Sequence, residues 1–171
     1  MTEPGRLTHV DESGAARMVD VSGKDVTVRT ATATGRVLVS AEVVRLLRDG
    51  SVPKGDALAV ARIAGIQAAK RTPDLVPLCH PIAIHGVDVE LTVEDDAVTI
   101  TATVRTADRT GVEMEALTCV AVAGLALVDM VKAVDRAATI SDVRVEHKSG
   151  GRSGEWRRSQ RTTAPDGTSP K

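Results

Sequence analysis

The spacing of apolar residues changes period along this chain, and each change predicts an element. Residues 26–39 follow the two-residue alternation of a strand, with a break predicted near Gly35. Ser40 is a good N-cap for a short helix over 41–48, and Gly50 ends it. A second helix follows Lys54-Gly55-Asp56 and runs to about residue 71, with Leu58, Ala61, Ile63, Ile66 and Ala69 as its apolar face. Residues 82–93 and 97–106 alternate on either side of Glu94-Asp95-Asp96, which predicts a hairpin. The longest helix is predicted over 112–137. It is apolar almost all round and must be covered on more than one side; in so short a chain, part of that cover is expected from another subunit. Residues 139–147 read as a last strand.

That order predicts an α+β fold of the ferredoxin-like class, a split β-α-β sandwich with one antiparallel sheet and the helices on one face. A single domain is expected over 16–156. Residues 1–15 are polar and expected to be flexible, and the tail 157–171 has almost no apolar residue and is expected to be disordered.

Composition narrows the function classes. The 171 residues suit one domain, and Lys+Arg 22 against Asp+Glu 23 gives a net charge of -1, so no overall field draws the chain to nucleic acid or an anionic membrane. Only the C-terminal end is locally basic, through Arg144, Lys148, Arg152, Arg157, Arg158 and Arg161. With no Phe, no Tyr and one Trp, the core must be built from Val, Ala, Leu and Ile, and the stacking platform of a single-strand RNA binder is missing. Cys79 and Cys119 have neither metal-motif spacing nor a disulfide framework, which fits a reducing, cytoplasmic setting. The polar start lacks a signal-peptide core, and the apolar run 116–128 is too short and too rich in Ala and Thr to span a bilayer.

Four segments carry polar groups that packing does not require. Pro53-Lys54-Gly55-Asp56 stands at a helix N-terminus, where backbone N–H groups attract anions and Lys54 adds a full charge; taken alone it reads more readily as a solvated lysine before an Asp N-cap. Pro77-Leu78-Cys79-His80-Pro81 holds a Cys-His pair in a stiff stretch, either a turn or a site in which His80 handles protons or phosphate. The long helix opens with Glu113-Met114-Glu115 and carries Asp129 and Lys132 three residues apart, on one face. In a segment built for burial, that pair is expected to be desolvated and kept either for function or for structure. The fourth segment, His147-Lys148-Ser149-Gly150-Gly151-Arg152-Ser153-Gly154, is a basic linker or a phosphate-holding loop, though its spacing is not that of a Walker A loop. Together these groups suit a polyphosphate ester of a hydrogen-bonding heterocycle. No cluster completes a metal site.

The motifs Met18-Val19-Asp20-Val21-Ser22, Lys54-Gly55-Asp56 with residues 61–71, Leu75-Val76-Pro77-Leu78-Cys79-His80-Pro81, Thr110-Gly111-Val112-Glu113-Met114-Glu115-Ala116-Leu117-Thr118 and Lys148-Ser149-Gly150-Gly151 resemble the molybdenum cofactor biosynthesis protein C family. Its members are cyclic pyranopterin monophosphate synthases. The resemblance covers about residues 7–156. It implies an enzyme that rearranges 3′,8-cyclo-7,8-dihydro-GTP to the pyranopterin, forms a cyclic phosphate and releases pyrophosphate. It also implies a ferredoxin-like subunit in a hexamer, a trimer of dimers with sites between subunits.

By motif match the resemblance implies Lys54, Lys132 and Asp129 as catalytic residues. It implies Leu78, Cys79, His80, Glu113, Met114, Glu115, Arg29 and Lys148 as substrate contacts. Arg152 departs from the lysine common in the family at that place. On this reading Glu113 or Glu115 accepts from ring N–H groups, Arg29, His80 and Lys148 hold the triphosphate, and Lys54 and Lys132 carry protons, with Asp129 orienting Lys132. No cofactor is required; magnesium can accompany the triphosphate. Two other classes remain: a nucleotide-binding subunit without chemistry, and an RNA-binding domain of similar topology.

Overall fold

Alternation in residues 27–38 places Ala31, Ala33 and Val37 on one face of a strand and Thr30, Thr32 and Thr34 on the other, and all three apolar side chains are fully buried. This strand, β1 (Thr27–Leu38), is the middle of the five-stranded sheet in the computed structural model of the chain, which describes residues 9–11 and 13–159. Residues 1–8 and 12 of the expected flexible segment, and 160–171 of the expected tail, lie outside the described residues.

After β1 come α1 (Ala41–Arg48), α2 (Ala57–Ala69), α3 (Thr72–Leu75), β2 (Gly86–Val93), β3 (Ala97–Asp108), α4 (Glu113–Val131), β4 (Thr139–Ser149) and β5 (Trp156–Arg157). The sheet order is β2-β3-β1-β4-β5 with every neighbouring pair antiparallel. β1 and β2 therefore run parallel with β3 between them, and β3 and β4 run parallel with β1 between them. The helices cross from one member of each pair to the other. The fold is α+β, with α4 against β1, β3 and β4 and α2 against α4.

Where elements differ from expectation, a local cause is visible. β1 is not broken at Gly35: its pairing with β3 is continuous, and the irregularities fall on the β4 side. β2 begins at Gly86 rather than 82 because side chains replace part of the ladder beyond it. The Thr106 hydroxyl donates to the Ala83 carbonyl at 2.5 Å, and the His85 ring accepts from the Ala107 N–H at 3.3 Å. α4 stops at Val131, where Asp135 turns the chain by accepting from the N–H groups of Ala137 and Ser40 at 2.9 and 2.7 Å. β5 pairs with β4 at Trp156 and Arg157, so the order of the chain extends into the start of the expected tail.

The expected apolar face of α2 is corrected in the same way. Its buried stripe is Ala57, Ala61, Gly65, Ala68 and Ala69, while Ile63 is 57% exposed. Small residues win this face because α2 lies close on α4: a Cβ at Gly65 would sit 2.9 Å from the Cys119 carbonyl oxygen. α4 is long and apolar enough to cross a bilayer by those criteria alone, yet Ala116, Val120, Ala123 and Leu127 bury it in the core. Leu125, on its outer side, is 59% exposed.

One irregularity bears on function. Thr32 pairs with His147 and Ala33 with Val145, so Glu146 is a bulge residue in β4. The extra residue turns Lys148, which pairs with Ala31, onto the helix-bearing face instead of the open one.

Candidate active site

At the N-terminal end of α4, Glu113, Met114 and Glu115 meet the segment Leu78-Cys79-His80 around a cleft of about 420 Å³. The helix-side turn of β4 brings the Lys148 ammonium 2.8 Å from a Glu113 carboxylate oxygen. Lys148, Arg29, Thr30, Gly111 and Gly150 line a recess of about 50 Å³ that shares Glu113 with the cleft. Arg29 is held by donation from Nε to the Asp108 carbonyl at 2.9 Å. Gly150 and Gly151, at φ 93 and 71, let the loop after β4 lie directly on this residue: a Cβ at either would overlap the Val28 carbonyl or the Arg29 guanidinium.

Glu113 and Glu115 have different environments. Glu113 is paired with Lys148, whereas Glu115 is 3% exposed and its Oε2 has no hydrogen-bond partner. Burial, with the Glu113 charge adding, pushes the Glu115 carboxyl up from 4.5 to about 7. The unfolded chain loses this proton near pH 4.5 and the folded chain keeps it to about pH 7, so over that window stability falls as pH rises. Glu115→Gln should therefore exceed the wild type by on the order of 3 kcal/mol at pH 8, the advantage fading toward pH 4, as read by urea unfolding. An equal difference at both ends of the range would contradict this.

The rest of the cleft excludes one chemistry and adds a wall. Burial and the Glu115 carboxylate raise the Cys79 thiol above its ordinary value, which leaves it a poor nucleophile. Cys119, raised to about 12 by burial, packs beneath Gly65 and has no part in the site. His80 does not point freely at a ligand: its Nε2 donates to the Val19 carbonyl at 2.7 Å. The residues around Val19 form a wall that the residue-by-residue reading assigned no role, with His9, Val21 and Lys24 also lining the cleft.

A second cluster lies at the opposite end of α4. Asp129 receives Lys132 Nζ on Oδ1 at 2.6 Å and Lys54 Nζ on Oδ2 at 3.2 Å. Lys54 also donates to the Asp129 backbone carbonyl at 2.7 Å. Lys54 thus leaves the N-terminus of α2, where an anion site was one of the two readings, and caps the negative end of α4. Asp56 alone caps α2, accepting from the Ala59 N–H at 2.9 Å. Hydrogen bonds from Lys132 and then Lys54 hold the Asp129 carboxyl below its ordinary value. The expected burial of this pair is not found: Asp129, Lys132 and Lys54 side chains are 57%, 59% and 42% exposed, because Asp129 and Lys132 lie on the outward side of a helix end whose other side buries Met130 and Val131.

The sequence-assigned residues therefore form two groups. Glu115 and Asp129 lie fourteen positions apart along the helix, about 21 Å at the α-helical rise. Among the described residues, no three His, Cys, Asp or Glu side chains are grouped to hold a metal.

Residues 18–151 match the sequence profile of the MoaC family, a span that includes both groups of residues. The chain belongs to the MoaC family. A Streptomyces coelicolor relative, named cyclic pyranopterin monophosphate synthase, is 73% identical over 154 residues, covering 90% of this chain and 91% of its own. A Nocardioides relative of the same name is 72% identical over 158 residues, covering 91% and 97%. A Mycobacterium tuberculosis relative named cyclic pyranopterin monophosphate synthase 2 is 62% identical over 154 residues, covering 90% and 92%. The MoaC-family span begins at Met18, at the wall of the cleft, and ends at Gly151, under Arg29.

Proposed function

We propose that this MoaC-family chain is a cyclic pyranopterin monophosphate synthase, converting 3′,8-cyclo-7,8-dihydroguanosine 5′-triphosphate to cyclic pyranopterin monophosphate and pyrophosphate. The single observation that carries the reading is Glu115, a buried carboxylate with an unpartnered oxygen in the cleft that shares Gly111 and Glu113 with the cationic recess. An unpaired buried carboxylate costs stability, and a ligand offering paired ring and amino N–H groups offsets that cost. Of the two carboxylates, Glu115 suits the guanine-derived ring, because Glu113 is already paired with Lys148. Leu78, Cys79 and Met114 frame the ring, while Arg29 and Lys148 serve the triphosphate and offset charge on the departing pyrophosphate, and His80, its Nε2 held by the Val19 carbonyl, has only its other ring nitrogen to offer the phosphates.

Proton transfer falls to Lys54 and Lys132, with Asp129 ionised between them. Asp129 orients both ammonium groups and is itself no acid, since its lowered pKa keeps it deprotonated at neutrality. The residues around both ends of α4 must serve one substrate, so the functional unit includes a second copy. Our reading is a hexamer, a trimer of dimers, in which the N-terminal end of one α4 faces the C-terminal end of another. Val60, Ile63 and Leu125 on the outer sides of α2 and α4 are 43%, 57% and 59% exposed and supply apolar surface for such contacts. The strand order supports the ferredoxin-like class for the subunit. We assign magnesium only to the triphosphate of the substrate, and place the enzyme in the cytoplasm, in keeping with its free cysteines.

Incubating the chain with the cyclised GTP precursor should yield cyclic pyranopterin monophosphate by mass and one pyrophosphate per product. Saturable binding with no pyrophosphate released would instead identify a nucleotide-binding module.

A further inference from the structure

The bulge at Glu146 decides which side of the sheet Lys148 occupies. With Val145 opposite Ala33, a regular ladder would set Glu146 opposite Thr32 and Lys148 opposite Thr30, on the open face and away from Glu113. The extra residue instead sets Lys148 opposite Ala31, with its ammonium 2.8 Å from the Glu113 carboxylate. A bulge disrupts the ladder locally, so other contacts must favour it over the regular register.

Those contacts converge on Arg158, the residue after β5. Its backbone N–H donates to the Glu146 carbonyl at 2.8 Å, and its Nε donates to the Val145 carbonyl at 2.7 Å. In a regular strand successive carbonyls point to opposite edges, so a neighbour meets only every second one. Here two consecutive carbonyls are met by one residue at the β5 edge, an arrangement that the bulged register provides and the regular one does not. Arg158 Nε also lies 3.8 Å from Glu146 Oε2, and its guanidinium carbon stands 5.7 Å from the centre of the Trp156 ring. Trp156 is the ladder partner of Lys148, so the same residue braces β4 on both sides of His147. On the open face Glu146 Oε1 accepts from Thr34 Oγ1 at 2.8 Å and from Arg144 Nε at 2.6 Å, which holds the bulged side chain from the other strands.

We propose that Arg158 is a positioning residue for Lys148: by fastening the Val145 and Glu146 carbonyls it holds the bulge in β4, and through it the Lys148 ammonium, on the helix side of the sheet. The task of Lys148 toward the substrate rests on the proposed reaction; its place in the sheet does not, and is measured without turnover. The full chain is labelled briefly with acetic anhydride, and the yield at each lysine is read by mass spectrometry with exposed Lys70 as the internal reference. In the wild type Lys148, half-buried and paired with Glu113, should label more slowly than Lys70. Arg158→Met removes the side-chain donor at a site outside the core, and should raise the rate at Lys148 relative to Lys70 about ten-fold. Arg157→Met, on the same short strand but bonded through Nε to Glu155, should leave that ratio unchanged. In turnover, Arg158→Met should raise KM for the cyclised precursor by about ten-fold while kcat changes far less. The Lys148→Ala, Arg158→Met double variant should then have the KM of Lys148→Ala alone. A wild-type Lys148 as reactive as Lys70, an unchanged ratio in Arg158→Met, an equal rise in Arg157→Met, or losses that add in the double variant would each overturn the proposal. The expected labelling changes in a chain that does not turn the precursor over would sink the proposed reaction and leave this assignment standing.

Discussion

Lys54→Ala and Lys132→Ala should each lower product formation by about 10²-fold or more, the usual contribution of a positioned proton carrier, while the protein still folds and assembles. The structure makes this a clean experiment. Both side chains are about half exposed, and their ion pairs with Asp129 are surface pairs, which contribute little to the stability of the subunit. A large activity loss therefore cannot be attributed to unfolding, and a thermal midpoint within a few degrees of the wild type should accompany it. Asp129→Asn separates the roles further. The amide keeps the volume but offers one acceptor oxygen to two ammonium groups, so activity should fall while stability barely moves. Wild-type turnover in either lysine variant, or lost stability with full activity in Asp129→Asn, would refute the assignment. Mass detection of the cyclic pyranopterin product, with thermal unfolding alongside, supplies both readouts.

Most of the fold was legible because its elements have strong periods. The alternation in residues 27–38 and 97–108 marks one buried face, and Ser40 and Asp56 cap the helices where a capping side chain was expected. The errors came where tertiary contacts override local pattern. Gly35 looked like a break, but β3 keeps its register across it. Ile63 looked like core, but the closeness of α2 to α4 admits only Gly65 and its alanine neighbours, and Ile63 turns outward. No periodicity could place Thr106 and His85 as substitutes for ladder hydrogen bonds before β2.

The site was legible in its parts and not in its arrangement. Residue types and motifs picked out both carboxylates, the Cys-His turn and the lysines. The difference between Glu113 and Glu115 depends on the β4 bulge that swings Lys148 to the helix side, and a two-residue period cannot reveal a bulge. Lys54 was read with its own helix because sequence neighbours are the only neighbours a sequence shows; its ammonium in fact reaches a carbonyl 75 positions away in number. The Met18-Val19-Asp20-Val21-Ser22 motif left a signal of a kind, but only the structure shows that it walls the cleft.

The separation of the two residue groups along α4 leads to the second large effect, a rescue of activity by mixing two dead chains. Glu115→Gln disables the N-terminal group and Lys132→Ala the C-terminal group. If every site takes one group from each of two copies, a chain carrying one change still offers an intact half to its neighbour. Oligomers assembled from equal amounts of both variants, co-expressed with different tags and purified through each, should recover about one quarter of wild-type activity, since random pairing leaves about a quarter of sites with two intact halves. Each variant alone should stay inactive. Recovery near that fraction is what a shared site requires, and mixed oligomers as inactive as their parents would show that each chain builds its site alone, contradicting the account.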